Sequence, residues 1–312
     1  MDPLAQLVNL LRPKTLLWKR IEGRGSWGLT FRANEEVNFG TVLSGSCVLL
    51  RAGKPPLPIR TGDFLLQTKP LTYTLASDAH ANPEDAETAL AASSDRQLKL
   101  GTGAQISAEV LGGHFTFESV NRELLTDLLP PLVHVPSTDE VAGRVRSMLA
   151  LAAEESKHTL PGSDVVLAHL MEIILIEILR SGLAHGDARP QGMFAALIDP
   201  QLAVVLRAIH QNVARPWTVA QLARLAGMSR SVFAARFTET VGRSPIDYIL
   251  NWRMAIAKDA IRGGGLTFSE VAVSVGYQSA GAFSTAFRRV IGCSPKVFAD
   301  SVRDSRTRLG FR

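Results

Sequence analysis

The sequence predicts an α+β protein in which a β-rich first domain precedes an all-α domain. Three observations predict this order. Up to about residue 135 the chain is rich in Gly and Pro and its apolar stretches are short, as in strands separated by turns. From Ser137 onward, apolar residues recur at helical spacing. Residues 218–298 then contain the same helix–turn–helix pattern twice.

Short apolar segments predict the strands of the first domain. Leu71–Leu75 alternates in polarity, as a half-buried strand does. Gly45–Gln67 predicts two strands joined by a proline-containing turn, and the polar segment Ala79–Asp95 predicts a surface loop. The other predicted strands are Trp27–Arg32, Cys47–Arg51, Phe64–Gln67, Leu98–Leu100, Gln105–Leu111 and His114–Glu118.

Two helices are predicted after the strands. The first begins near Ser137 and ends before Thr159–Gly162. The second, from Ser163 to about Arg180, is apolar on nearly every face, which predicts a subunit interface; burial within its own domain is the alternative. Its apolar run contains charged residues and is shorter than the roughly 20 apolar residues that span a bilayer, so no membrane partner is expected. Residues 182–192 predict an interdomain linker.

Charge is divided unevenly along the 312 residues, whose net charge is +5. Residues 1–195 carry 18 cationic and 22 acidic side chains, whereas residues 196–312 carry 16 and 7. The last third is therefore strongly basic and arginine-rich, as suits a polyanionic partner. Two distant cysteines exclude a disulfide framework and a four-thiolate zinc site. No secretory signal is recognisable, and a cytoplasmic location is expected.

Each copy of the repeat contains the signals of a helix, a tight turn and a second helix. In the first copy, Thr218 and Gln221 form a capping box, Gly227 ends the first helix and Ser229 caps the second. The equivalent residues of the second copy are Thr267, Glu270, Gly276 and Ser279. In this motif the second helix enters the major groove of DNA.

A helix from Pro245 to about Ile261 joins the two copies and spans roughly 25 Å at 1.5 Å per residue. Successive major grooves on one face of DNA lie about 34 Å apart. One subunit is therefore predicted to read two adjacent grooves of double-stranded DNA.

Residues 200–300 resemble the DNA-binding domain of AraC/XylS-type bacterial transcription regulators. The resemblance rests on both helix–turn–helix units, the joining helix with Trp252-Arg253, and G-Y-x-S…F-x-x-x-F-R-R…G-x-S-P from Gly276 to Pro295. Gly62-Asp63-Phe64 and Gly112-Gly113-His114…Leu129–Leu132 resemble the cupin-like β-barrel sensor of one branch of that family. The resemblance implies a homodimeric, effector-responsive activator that works with RNA polymerase; repression stays open.

The expected domains follow from this resemblance. Residues 1–181 form a cupin-like effector-sensing and dimerisation domain whose helical part is about 137–181. Residues 182–198 form the linker, and residues 199–312 form the DNA-binding domain. Within it, the helix–turn–helix units cover about 218–241 and about 267–291.

The DNA-contacting residues are predicted from the faces of the two recognition helices. The aromatic pairs Phe233/Phe237 and Phe283/Phe287, together with Val232, are assigned to the buried face. Few long polar side chains remain opposite them, so methyl contacts and DNA shape are expected to contribute to specificity. The predicted contact residues are Arg230, Ser231, Ala234, Ala235, Arg236, Gln278, Ser279, Ser284, Thr285 and Arg288, with Arg243, Arg253 and Arg289 on phosphates.

Catalytic and metal-binding motifs are absent from the sequence. The seven histidines show no H-x-H or H-E-x-x-H spacing, and no P-loop or dinucleotide fingerprint is present, so no enzyme activity, metal or cofactor is expected. A cupin-type enzyme fused to the DNA-binding domain is a remote alternative. A first domain that only dimerises or binds a protein partner is a closer one. Candidates for lining an effector pocket, or for filling the barrel core instead, are Trp27, Phe31, Tyr73, His114 and Phe117.

Overall fold

The chain forms two compact units in the computed structural model, which describes residues 2–11, 13–34, 36–93, 97–117, 121, 131–155, 160–185 and 192–309. The sheet unit comprises Arg12–Glu118 and Leu125–Arg189. The helical unit comprises Met1–Leu11, Ser119–Leu124 and Pro190–Arg312. The prediction assigned residues 1–181 to one domain; within that range, Pro3–Leu11 forms an apolar helix whose contacts group it with the helical unit.

A curled, ten-stranded half-barrel forms most of the sheet unit. This β-rich unit and the helical unit together give the predicted α+β fold class. Its main path runs β7-β2-β6-β3-β9-β1-β8; β4 and β5 also pair with β3, and β10 pairs with β5. The strands are β1 (Pro13–Arg24), β2 (Gly28–Phe31), β3 (Val37–Leu50), β4 (Leu57–Arg60), β5 (Phe64–Gln67), β6 (Tyr73–Ala76), β7 (Glu84–Asp85), β8 (Gln97–Leu100), β9 (Ile106–Phe117) and β10 (Leu132–Val135).

The long strand β3 connects the two parts of this sheet. Its first half pairs with β9 and β5, and its second half pairs with β4 and β6. Between the halves, Gly45 has a φ of +76°, and a Cβ atom there would lie 2.0 Å from the carbonyl oxygen of Ser107. Only glycine fits this bend. Strand β9 continues through Gly112 and Gly113, where two separate strands were predicted, because β1 and β3 flank it on both sides.

Two helices complete the sheet unit after the strands. Helix α3 (Glu140–Glu155) packs against α4 (Ser163–His185), which also contacts β1 and β10. The predicted loop at residues 79–95 instead contains β7 and a short helix, α2 (Ala86–Ala92), because the side chain of Asp85 caps its first turn. The thiols of Cys47 and Cys293 are free, and burial raises the pKa of Cys47 to about 12.

Helices build the second unit, in which α1 joins eight helices within the described residues 192–309. They are α1 (Pro3–Leu11), α5 (Met193–Ile198), α6 (Pro200–Gln211), α7 (Val219–Leu225), α8 (Arg230–Val241), α9 (Pro245–Gly263), α10 (Phe268–Ser274), α11 (Ala280–Ile291) and α12 (Pro295–Leu309). In the part of the chain that the structure describes, no helix has the length and apolar character needed to cross a membrane.

Candidate nucleic-acid interface

The first helix–turn–helix unit consists of α7 and α8. Thr218 Oγ1 accepts a hydrogen bond from the amide of Gln221 at 3.2 Å, and Gln221 Oε1 accepts one from the amide of Thr218 at 3.0 Å. Gly227 has a φ of +66°, and the side chain of Ser229 caps α8. The capping box, the turn and the second cap are therefore confirmed.

The second unit, α10 and α11, repeats this geometry. Thr267 and Glu270 form the equivalent capping box, and the hydrogen bond from the Thr267 amide lowers the pKa of Glu270. Gly276 has a φ of +86°, and a Cβ there would lie 2.3 Å from the carbonyl oxygen of Ala214. Ser279 caps α11. The two turns thus have the same construction, as the internal repeat predicted.

Aromatic pairs hold each recognition helix by its inner face. Phe233 and Phe237 lie with ring centroids 5.6 Å apart, and Phe283 and Phe287 with centroids 5.5 Å apart. All four side chains are completely buried. Because these pairs fix the inner faces of α8 and α11, the opposite faces of both helices are available to a ligand.

The exposed face of α8 carries Arg230, Ser231, Ala235 and Arg236, whereas Ala234 is half-buried. The assignment of Val232 to the inner face is wrong, since its side chain is 55% exposed. Val232 precedes Phe233 by one residue, which turns it about 100° away from the aromatic pair. An exposed β-branched side chain in the first turn of α8 is thus a candidate contact to a thymine methyl group that the sequence interpretation missed.

The exposed face of α11 is more polar. Arg288 and Arg289 are exposed in its last turn. Thr285, in the middle of the helix, and Gln278, in the turn before it, are also exposed. Ser284 is half-buried, and Ser279 uses its hydroxyl group to accept the cap hydrogen bond. Arg230 of α8 and Arg288 make no hydrogen bond or ion pair with other described residues, so both guanidinium groups are available to a phosphate or a base.

Two predicted contact arginines have partners within the helical unit. Arg236 donates to Asp199 Oδ2 at 3.1 Å through Nε and to Gln201 Oε1 at 3.0 Å through Nη1. Arg253 donates to the carbonyl oxygens of Val213 at 2.9 Å and Arg215 at 2.8 Å. Burial lowers the pKa of Arg253. These donors hold the start of α6 and the loop after it, a structural role that the sequence did not reveal; contact of either arginine with DNA stays a prediction.

Arg236→Ala is expected to cost about 1 kcal/mol of stability, because the ion pair to Asp199 is partly exposed and screened. Burial raises the pKa of Asp199, but hydrogen bonds from backbone amides and Arg236 outweigh it and lower the pKa. Urea unfolding measures the loss. Arg230→Ala is the matched control on the same helix and should change stability by less than about 0.5 kcal/mol. If Arg236→Ala leaves the stability unchanged and weakens DNA binding, Arg236 acts as a DNA contact and not as a structural residue.

The predicted pocket residues of the sheet unit lie mainly in its core. Trp27 is buried and donates from Nε1 to Ser107 Oγ at 3.0 Å, and Phe31 stacks on Tyr73 with centroids 4.9 Å apart. His114 is half-buried beside Glu36, 3.6 Å from Nδ1 to Oε2. The side chain of Phe117 lies outside the described residues. Among the described side chains, no group of three or more His, Cys, Asp or Glu is placed to hold a metal ion.

Comparisons with known proteins agree with this architecture. The Cupin family model matches residues 2–184, and a helix-turn-helix domain model matches residues 222–301. A putative AraC-like transcription regulator of Streptomyces lividans is 38% identical over 95% of this chain and 97% of its own length. The HTH-type transcriptional regulator AlkR of Acinetobacter baylyi is 27% identical over 95% of this chain and 98% of its own.

Two solved structures are also similar to parts of this chain. The DNA-binding domain of AdpA, in complex with a target DNA, is 28% identical and covers 34% of this chain and 95% of its own, with a TM-score of 0.32. ToxT from Vibrio cholerae is 12% identical and covers 92% of this chain and 97% of its own, with a TM-score of 0.37.

Proposed function

Because the chain belongs to the AraC-like transcription regulators, which are DNA-binding proteins, we propose that one subunit reads two adjacent major grooves. The observation that carries the proposal is the pairing of two helix–turn–helix units of the same construction with one joining helix. The 19 residues of α9 span about 28 Å, close to the separation of about 34 Å between successive grooves. Helices α8 and α11 both pack on α9.

In this proposal the two recognition helices read DNA by different chemistry. Helix α8 offers Arg230 and Ser231 with the methyl groups of Val232 and Ala235, which favours thymine contacts and shape readout. Helix α11 and the turn before it offer hydrogen-bonding groups to base edges and phosphates. They are Gln278, Ser284, Thr285, Arg288 and Arg289. Arg243, at the turn before α9, supplements the phosphate contacts.

Binding-site selection with the purified full-length protein, followed by footprinting, tests two-groove reading. We expect two protected segments per subunit, centred one helical turn apart on one face of the DNA. Arg230→Ala should weaken contacts in one segment, and Arg288→Ala in the other. Protection of a single groove per subunit, or loss of the same segment in both variants, would contradict the proposal.

Arg288→Ala is expected to weaken operator binding by roughly 1–3 kcal/mol if the guanidinium group reads a base. If it binds a phosphate, the slope of log affinity against log salt should decrease by about one instead. A gel-shift series over salt concentration measures both quantities. Arg207→Ala, an exposed arginine on α6, is the control and should leave both unchanged. An Arg288→Ala variant that behaves like this control would remove Arg288 from the interface.

The sheet unit supplies dimerisation in this proposal. Val166 and Ile173 lie two turns apart on α4 and remain 44% and 43% exposed, with half-buried Leu170 between them. We define these three residues as the α4 apolar face. Exposed apolar patches of this kind mark protein interaction sites. Its proposed partner is the same face of a second subunit, and α3 and α4 thus act as the dimerisation helices of the sheet unit.

Regulation is the remaining part of the proposal. We infer that the chain is a regulator and not an enzyme, and that it works in the bacterial cytoplasm, where its DNA is, as an activator that contacts RNA polymerase. Two roles are open to the sheet unit. It could bind a small-molecule effector, or it could only dimerise or bind a protein partner. The packing of Trp27, Phe31 and Tyr73 in its core favours the second role, because these side chains then line no pocket. Thermal-shift screening against metabolites distinguishes the two, because a bound effector raises the unfolding temperature.

A further inference from the structure

Helix α1 is an apolar element of the helical unit. Six of its nine residues are buried, and Leu7 and Leu11 are completely so. It packs against α6 and α9. Helix α9 packs on the first recognition helix, and Asp199 and Gln201 at the start of α6 bind Arg236 of that helix. Its polar residue Gln6 contacts the last turn of α6, 204 positions further along the chain.

The amide group of Gln6 binds His210 at two points. Gln6 Nε2 donates to the backbone carbonyl oxygen of His210 at 3.0 Å, and Gln6 Oε1 lies 3.0 Å from His210 Nδ1. A carbonyl oxygen only accepts, so the amino group of Gln6 must face it. The amide oxygen of Gln6 therefore faces Nδ1, which must carry the hydrogen.

The protonation of His210 follows from these contacts. His210 is 3% exposed, and burial lowers its pKa to about 3, so the ring is neutral at physiological pH. With the hydrogen on Nδ1, Nε2 is an acceptor, and Tyr248 donates its hydroxyl hydrogen to it at 2.7 Å. Each polar atom from the Gln6 amide through the His210 ring to the Tyr248 hydroxyl is then assigned as either a hydrogen-bond donor or an acceptor.

This hydrogen-bonded series continues into α8 through packed rings. The rings of Tyr248 and Phe237 form a T-shaped pair with centroids 5.8 Å apart, and the rings of Phe237 and Phe233 lie with centroids 5.6 Å apart. Both phenylalanines belong to the inner face of α8. A direct series of contacts thus runs from α1 to the first recognition helix, whereas the core around α11 is built from a different set of residues.

We propose that Gln6 is a positioning residue for DNA recognition: by binding His210 at two points it sets α6 and Tyr248, and through them the orientation of α8. The proposal rests on DNA binding by the helical unit and extends it to a residue near the start of the chain. It assigns α1 to the DNA-binding machinery as a support for one of the two recognition helices.

The test compares Gln6→Leu with Asn9→Leu in the full-length protein. Leu at position 6 leaves the Nδ1 hydrogen and the carbonyl oxygen of His210 without their Gln6 partners. A buried donor that loses its hydrogen bond shifts a conformational equilibrium by about five- to a hundredfold away from the native arrangement. We expect operator affinity to fall about tenfold, with lost protection confined to the segment that Arg230→Ala identifies as the site of α8. Asn9 is exposed on the same helix, so Asn9→Leu should stay within about twofold of the native protein.

Nitrogen NMR of His210 gives a second measurement that does not depend on DNA. The native protein should show the hydrogen on Nδ1, and Gln6→Leu should show a mixture of tautomers, while Asn9→Leu keeps the native state. Equal affinity in the two leucine variants would overturn the proposal. So would equal loss at both DNA segments with a lower unfolding midpoint, which indicates a contact for stability alone. If the native protein protects only one groove, the proposal that one subunit reads two grooves is contradicted. The role of Gln6 is then still tested by the operator affinity and the His210 tautomer of Gln6→Leu compared with Asn9→Leu.

Discussion

Phe287→Ala is expected to destabilise the helical unit by about 3–5 kcal/mol, the usual cost of truncating a completely buried phenylalanine. Phe287 lies between Phe283 and Phe298, with ring centroids 5.5 and 5.6 Å away, so its removal leaves a cavity bordered by two other rings. Total stability of a domain is commonly about 5–15 kcal/mol. The substitution should therefore remove a large share of the free energy of unfolding of the helical unit.

Phe268→Ala is the matched control, because Phe268 belongs to the same helix–turn–helix unit but is 36% exposed. Its truncation should cost about 1 kcal/mol or less. Chemical unfolding followed by circular dichroism compares the stability of the two variants. In footprinting, the Phe287→Ala variant should lose the protection of the DNA segment that binds α11 more strongly than that of the segment that binds α8. A cost for Phe287→Ala no larger than that of the control would contradict the assigned core.

Ile173→Asp is expected to convert a dimer into a monomer. Ile173 is the residue at the C-terminal end of the α4 apolar face, and a carboxylate placed between two such faces loses its hydration without gaining a partner. Operator binding should weaken by about 10²–10⁴-fold, because a monomer loses the effective concentration that links two DNA-binding units. Light scattering after size-exclusion chromatography measures the oligomeric state, and gel shift measures the affinity.

Val204→Asp provides the control, since Val204 is a comparably exposed valine on α6. This variant should remain a dimer. If Ile173→Asp also remains a dimer, or if the native protein is monomeric at micromolar concentration, the α4 apolar face is not the subunit interface.

Local chemistry explains which parts of the fold could be predicted from the sequence. The capping boxes at Thr218 and Thr267 and the turns at Gly227 and Gly276 depend on residues within ten positions of each other, and all were confirmed. The strand Phe64–Gln67 was predicted with its observed bounds because turn residues flank it. Where local signals determine an element, the sequence is sufficient.

The features that were missed depend on partners distant in sequence. Helix α1 has a local start signal, because the side chain of Asp2 accepts a hydrogen bond from the amide of Ala5 at 3.1 Å, but its apolar residues can be assigned to a core only through their contacts with α6 and α9. Arg236 has a position suited to DNA contact, but Asp199 and Gln201, more than 30 residues earlier, engage it. Val232 was misplaced because its apolar character was taken as a sign of burial, although a helix facing DNA also has use for exposed methyl groups.

The distance between Gln6 and His210 also has a consequence for synthesis on the ribosome. Helix α1 leaves the ribosome before its partner in α6, which follows 204 residues later. At about 5–20 residues per second, this delay is roughly 10–40 s. During that time an apolar nonapeptide is exposed, while the sheet unit is translated and can begin to fold. The helical unit is therefore completed only after α6 has been translated, and a nascent chain that ends before α6 leaves the apolar residues of α1 without the partners that bury them.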